Sequence, residues 1–231
     1  MTGIIGAMKI EVESIAASMT YKRERIISGI SFISGRLYGQ SVVLARCGIG
    51  KVSAAVCAQI LISVYKVDSI INTGVAGGLA AELRQGDIVV ASGFVEHDMD
   101  TSPIGDPVGW LSGLDTIQLP CGEELADRLY KIASANDNYA TLRGIIASGD
   151  QFVASAERAE FIRSTFGAAA CEMEGAAIAH ACFMAKIPFA AVRCISDNAD
   201  GEAGMSYADF SAIAADRCAK LVLDTFAEAA E

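Results

Sequence analysis

The sequence predicts an α/β protein, a three-layer α/β/α sandwich around a central twisted mixed β-sheet. Three observations predict it. Short stretches rich in Val and Ile alternate along the chain with longer stretches of helical periodicity. Several of the short stretches, residues 69–73 and 189–195 among them, are apolar at consecutive positions, as strands covered on both faces are. Glycines and acids collect just after the strands, at the end of an open α/β sheet where ligands bind.

Each element follows in order. Ile4 and Ile5 open a short buried strand, and residues 9–18 follow as a helix. Residues 30–37 and 41–47 read as paired strands around Gly39, and 52–65 as a helix. Residues 69–73 form a strand running into a glycine-rich turn, Gly74-Val75-Ala76-Gly77-Gly78, and 87–95 form another strand. Pro103 and Pro107 make 98–113 a loop. Helices at 123–135, 156–165 and 174–185 alternate with strands at 143–148 and 189–195, the second interrupted in apolar character by Arg193, and a long helix spans 207–228. Residues 1–231 contain no linker, repeat or low-complexity tract and are expected to form one domain.

Composition narrows the function. Eighteen Lys and Arg against 28 Asp and Glu give a net charge of -10, which argues against an extended nucleic-acid surface. A mean hydropathy of +0.39 raises the question of a membrane span. The apolar run 52–65 is shorter than the roughly 20 residues a spanning helix needs, and 168–194 carries Glu172, Glu174, His180, Lys186 and Arg193. The apolar excess is assigned instead to a core or a subunit interface. The first residues show no basic leader or cleavage site, so export is not expected, and 7 cysteines without a C-x-x-C pair suit reduced thiols in a cytoplasm. Only 2 histidines are present, which excludes a multi-His zinc site; no metal or other cofactor is expected.

The strand ends deliver a consistent set of side chains: Met8 and Glu11 after the first strand, Gly77 within the glycine-rich segment, Phe152 and Val153 after 143–148, and Ser196 with Asp197 after 189–195. Glu172, Met173 and Glu174 sit where a strand becomes a helix. Carboxylates accept ribose hydroxyls, a carboxylic acid donates to a ring nitrogen, and an aromatic stacks on a base, so the set suits a small-molecule purine nucleoside better than a phosphate dianion. Taken singly, Glu174 would be a helix-terminus acid, Glu11 a solvated helix residue, Asp197 a turn cap, Phe152 a core residue and His180 a satisfied core histidine. The triplet His97-Asp98-x-Asp100 suggests a metal only until alternation points His97 away from both acids.

Read together, Gly3-Ile4-Ile5-Gly6-Ala7-Met8 with Glu11, Cys47-Gly48-Ile49-Gly50-Lys51-Val52, Asn72-Thr73-Gly74-Val75-Ala76-Gly77-Gly78-Leu79, Gly86-Asp87-Ile88-Val89-Val90, Ser148-Gly149-Asp150-Gln151-Phe152, Glu172-Met173-Glu174 and Arg193-Cys194-Ile195-Ser196-Asp197 follow in that order. The set, spread nearly end to end, resembles the bacterial 5′-methylthioadenosine/S-adenosylhomocysteine nucleosidases of the purine nucleoside phosphorylase superfamily. The resemblance implies a cytoplasmic homodimer that hydrolyses the N-glycosidic bond of these nucleosides and of 5′-deoxyadenosine. It implies that Asp197 protonates adenine N7, Glu11 activates water, and Glu174 holds the ribose hydroxyls beside Met173. By the same resemblance Phe152 stacks on adenine, the Val153 backbone reads its edge, and Glu172 and Arg193 organise the water and the acids. Met8, Ile49 and Tyr207 match a 5′-thio pocket.

The chain departs from the pattern in two places. Val75 replaces a common Ser near the water site, and the 97–113 loop, which would reach the partner's 5′ pocket, lacks the usual Phe-Gly-Tyr segment. Three other functions remain: an aminodeoxyfutalosine nucleosidase, a phosphate-dependent phosphorylase and a non-catalytic nucleoside sensor. The second needs arginines near the first glycine turn, where Ala-Met-Lys-Ile-Glu stands, and the third has no use for Glu11, Glu174 and Asp197 together. Neither G-x-G-x-x-G nor a complete P-loop is present, which disfavours dinucleotide and nucleoside-triphosphate binding.

Overall fold

The computed structural model describes residues 1–197, 199 and 207–229, the side chains of 207–209 excepted. At its centre β1 (Thr2–Gly6) runs parallel to β4 (Gln40–Arg46) on one side and β5 (Ser69–Gly78) on the other. β5 continues parallel to β10 (Phe189–Asp197), which pairs antiparallel with β6 (Ile88–Glu96). β6 runs parallel to β8 (Thr141–Ser148), and β8 to β9 (Ala168–Glu172). Gly77 and Gly78 then pair with Cys171 and Ala170, so that β5, β10, β6, β8 and β9 close on themselves at one end of the sheet.

The consecutive apolar residues of these strands have a plain cause. Ile5, Val43, Ala45, Val89 and Ala191 face a core shared with α2 (Lys51–Ser63) and α5 (Gly175–Ala185). Ile4, Val42, Leu44, Val90 and Val192 face the opposite core, with α1 (Lys9–Ser18), α3 (Glu123–Ser134) and α6 (Tyr207–Glu228). Alternate side chains feed two layers, so every position must be apolar. α4 (Ala156–Phe166) packs on a smaller cluster with Val95, Ala147 and Val153. Among the described residues no helix is long and apolar enough to cross a membrane.

Three features differ from the sequence expectation. The predicted glycine-rich turn at 74–78 is strand, because β10 pairs with β5 up to Gly77 and β9 crosses its last two residues. The small residues there admit the crossing strand. Two strands have no sequence pattern to find: β2 (Thr20–Ile27), exposed along almost its whole length, and β7 (Gln118–Pro120), only 3 residues long. β2 is the outer strand of a meander with β3 (Ile30–Leu37) and β4, turned at Ser28-Gly29 and Tyr38-Gly39. Both residues of each turn have positive φ, the requirement of a tight type I′ hairpin. Lys22, Arg23 and Arg25 charge this edge strand, which discourages pairing with another chain.

Candidate active site

The closure of the sheet carries the ends of β1, β8, β9 and β10 to one cavity of about 230 Å³. Met8, Glu11, Ile49, Gly77, Phe152, Val153, Glu172, Met173, Glu174, Ser196 and Asp197 all line it. Of the other sequence-predicted residues, Arg193 lies beneath the cavity, and the side chain of Tyr207 falls outside the described residues.

Glu11 is in the first turn of α1, where an acid caps free backbone donors. Its Oε2 accepts the N–H groups of Ala7 (2.7 Å) and Met8 (2.8 Å), and its Oε1 accepts Val75 N–H (3.2 Å). Gly74 leaves room for the carboxylate; any side chain there would collide with it. Only 3% of Glu11 is exposed, so it is not a solvated helix residue. Burial raises its pKa, against the lowering by the Met8 N–H and Arg193.

The second group sits where β9 passes into α5. Glu172 Oε2 takes Arg193 Nη2 at 2.7 Å, and its carboxylate accepts Ser148 Oγ and the N–H groups of Glu174 (3.1 Å) and Gly175 (2.8 Å). Arg193 is 2% exposed, and it also donates to the side chain of Asn72, whose Nδ2 is anchored on Ile5 O (2.8 Å). Burial opposes the charge on Arg193, but Glu172, Glu11 and Glu174 outweigh it and raise its pKa. Its guanidinium is thus committed to neighbours rather than offered to a ligand.

Glu174 does not cap its own helix. Its Oε1 accepts the N–H of Gly50 (2.7 Å), the residue immediately before α2. Burial, followed by repulsion from Glu172, pushes its carboxyl up to about 8. The opening of α2 is clamped in turn: Lys51 N–H donates to Asp150 Oδ1 (2.7 Å), and Lys51 Nζ bridges Glu96 Oε2 (3.0 Å) and Asp98 Oδ1 (2.6 Å). Asp98 closes the ring by accepting Asp150 N–H (2.8 Å), so α2 and the ends of β6 and β8 are tied beside the cavity.

At the end of β10, Asp197 Oδ2 accepts Ser196 Oγ (2.9 Å) and Oδ1 accepts Ala199 N–H (2.9 Å). Asp197 therefore holds a backbone N–H two residues on, while its carboxylate still lines the cavity. Phe152 is 63% exposed over the opening and is no core residue, whereas Val153 is buried.

Asn72, Ser148 and Lys51 stand out here without a role expected from the sequence. Asn72 carried a usable signal, an amide directly after the apolar pair Ile70-Ile71 in a buried strand. His180 corrects another expectation: it is partly exposed, with Nδ1 against Glu96 Oε1 at 2.9 Å, instead of sitting in the core. His97 is buried against Arg158, and among the described residues no group of three or more His, Cys, Asp or Glu is placed to hold a metal ion. The cysteines are free thiols; burial pushes Cys57, Cys121, Cys171, Cys182 and Cys194 up to about 12, which keeps them unreactive at neutral pH.

Comparison with known proteins adds the family. The model of the phosphorylase superfamily matches residues 2–227. A 5′-methylthioadenosine/S-adenosylhomocysteine nucleosidase of Actinobacillus succinogenes is 43% identical over 98% of this chain and 98% of its own. This chain belongs to that nucleosidase family. Among solved structures, the family member from Colwellia psychrerythraea in complex with adenine is 37% identical, with a TM-score of 0.92 over 98% of this chain and 94% of that one. The futalosine hydrolase of Helicobacter pylori is similar too, at 34% identity and a TM-score of 0.92 over 99% of this chain and 97% of that one.

Proposed function

We propose that this chain is an N-glycosyl hydrolase that releases adenine from 5′-methylthioadenosine, S-adenosylhomocysteine and 5′-deoxyadenosine without phosphate. The observation that carries the reading is the ring of carboxylates, Glu11, Glu172, Glu174 and Asp197, around one cavity whose neighbouring arginine is already engaged. A phosphate dianion would meet repulsion there, while a ribosyl cation would be stabilised.

Each side chain then has a part. Asp197 donates a proton to adenine N7 as the C1′–N9 bond breaks and its electron pair passes to the base. Water adds to C1′ and gives its proton to Glu11, whose raised pKa makes it a stronger base than an ordinary carboxylate. Glu174 accepts the ribose hydroxyls beside Met173, and Glu172 with Arg193 fixes the start of α5. Phe152 stacks on adenine, the Val153 backbone and Gly77 border its plane, and Ser196 orients Asp197. Met8 and Ile49 receive the 5′ substituent. Gly77 has little room to vary, since a Cβ there would stand 3.3 Å from Asp197 Oδ1.

The likeness to futalosine hydrolase supports a second substrate, aminodeoxyfutalosine, which shares the adenosine core. Free buried thiols support a reducing, cytoplasmic setting. A homodimer is supported by the exposed Val52, Val56 and Met184 along one groove beside the site, with the 97–113 loop reaching the partner's 5′ pocket. Sedimentation tests this, and a monomer at working concentration contradicts it. Adenine release measured on methylthioadenosine, adenosylhomocysteine, 5′-deoxyadenosine and aminodeoxyfutalosine tests the substrate range.

A further inference from the structure

We infer that a second cavity, opening off the 5′ end of the candidate site, receives the charged end of a nucleoside whose 5′ thioether carries an α-amino acid, with Arg46 facing its carboxylate and Glu24 its ammonium. The inference rests on the nucleosidase reading and extends it to a substrate-discriminating subsite.

This cavity, of about 660 Å³, shares Ala7, Met8 and Ile49 with the first. Its far wall is the β2–β3–β4 meander. Ser31 stands directly opposite Ile26 on one side and Arg46 on the other, so all three side chains share one face of the sheet, and Glu24, two residues from Ile26, shares it too. Ser31 Oγ donates to Glu24 Oε1 at 2.5 Å, which turns that carboxylate toward the middle of the face. Arg46 and Glu24 thus flank one serine, a cation on one side and an anion on the other, and among the described residues Arg46 has no ion-pair partner. Lys9, at the start of α1, also lines this cavity, but its Nζ already lies 3.8 Å from Glu13 Oε2.

The chemistry of the two cavities differs accordingly. A methylthio group is short and apolar and ends against Met8 and Ile49. A homocysteinyl group continues past them and carries a carboxylate and an ammonium, which an apolar wall would strip of water at a cost. The meander offers the opposite charges instead. Because Arg46 is exposed, each contact is worth a few-fold and no more.

The test compares kcat/KM for methylthioadenosine and adenosylhomocysteine in the native chain and in Arg46→Ala, Arg46→Glu and Glu24→Gln. Arg46→Ala should lower the adenosylhomocysteine value about threefold and Arg46→Glu about tenfold, Glu24→Gln about twofold to threefold, each with the methylthioadenosine value unchanged. The methyl ester of adenosylhomocysteine, which lacks the carboxylate charge, should be indifferent to Arg46→Ala. Equal changes for both substrates, or none for either, would overturn the subsite. Calorimetry in an Asp197→Asn background reads the same contrast as affinity without turnover. Arg46-dependent binding in a native chain that releases no adenine would keep the subsite and remove the hydrolase reading.

Discussion

The floor of the cavity and its rim are built in opposite ways. On the floor Glu11, Glu172, Glu174 and Arg193 are nearly inaccessible, and each is held by hydrogen bonds to strands or helix ends. At the rim Ile49 and Phe152 are 61% and 63% exposed. The floor is set by the fold before any ligand arrives, which is what stabilising a transient ribosyl cation requires. The rim exposes contact area instead, and a change there should disturb the core little.

Changes to the acids around the cavity should therefore cost most. Asp197→Asn keeps the Asp197 shape but cannot protonate N7, so adenine release should fall by about 10²- to 10⁴-fold; a rate near that of the native chain would remove Asp197 from the acid role. Phe152→Ala, at the rim, should act mainly on binding. Loss of a base-stacking contact of about 1–3 kcal/mol predicts a KM rise on the order of tenfold with kcat little changed, and a matching fall in kcat would place Phe152 in the chemical step instead.

Stability separates the regions as well. Arg193→Met leaves Glu172 as an uncompensated buried charge, a loss of about 3–5 kcal/mol in urea unfolding, whereas Ile49→Ser at the rim should be within about 0.5 kcal/mol of the native chain. Comparable losses at the two positions would erase the distinction. The smallest effect is in pH dependence. The Glu174 carboxyl is raised to about 8, chiefly by burial, so the folded chain holds this proton more tightly than the unfolded chain. Its contribution to stability is complete below the ordinary glutamate range and is lost as pH rises toward about 8. Urea midpoints measured across that window should decline in the native chain and decline less in Glu174→Gln; identical slopes would show that Glu174 is not the titrating group.

Much of the floor was legible because its signals are local. Acids directly after apolar strands, such as Asp197 after 189–195, mark a ligand end whatever the tertiary detail. Glu11 was legible as an acid but not as a buried one, since its partners are backbone N–H groups of Ala7, Met8 and Val75 that leave no trace in composition. Arg193 is legible as a neighbour of the acids, yet its fixation by Asn72 depends on pairing between β5 and β10 and is a tertiary fact. β2 was not legible at all, because a strand that buries almost nothing shows no alternation; its place is set by the Ser28-Gly29 turn and by pairing with β3. The closure of the sheet at Gly77 was hidden for a related reason: small residues that admit a crossing strand look the same as a flexible turn.

The central claim is that the carboxylate floor works with water and not with phosphate. Product analysis of methylthioadenosine turnover in phosphate-free buffer tests it most directly. Free adenine and methylthioribose should form at a rate that added phosphate leaves unchanged, whereas turnover only with phosphate, yielding the sugar 1-phosphate, would contradict the account.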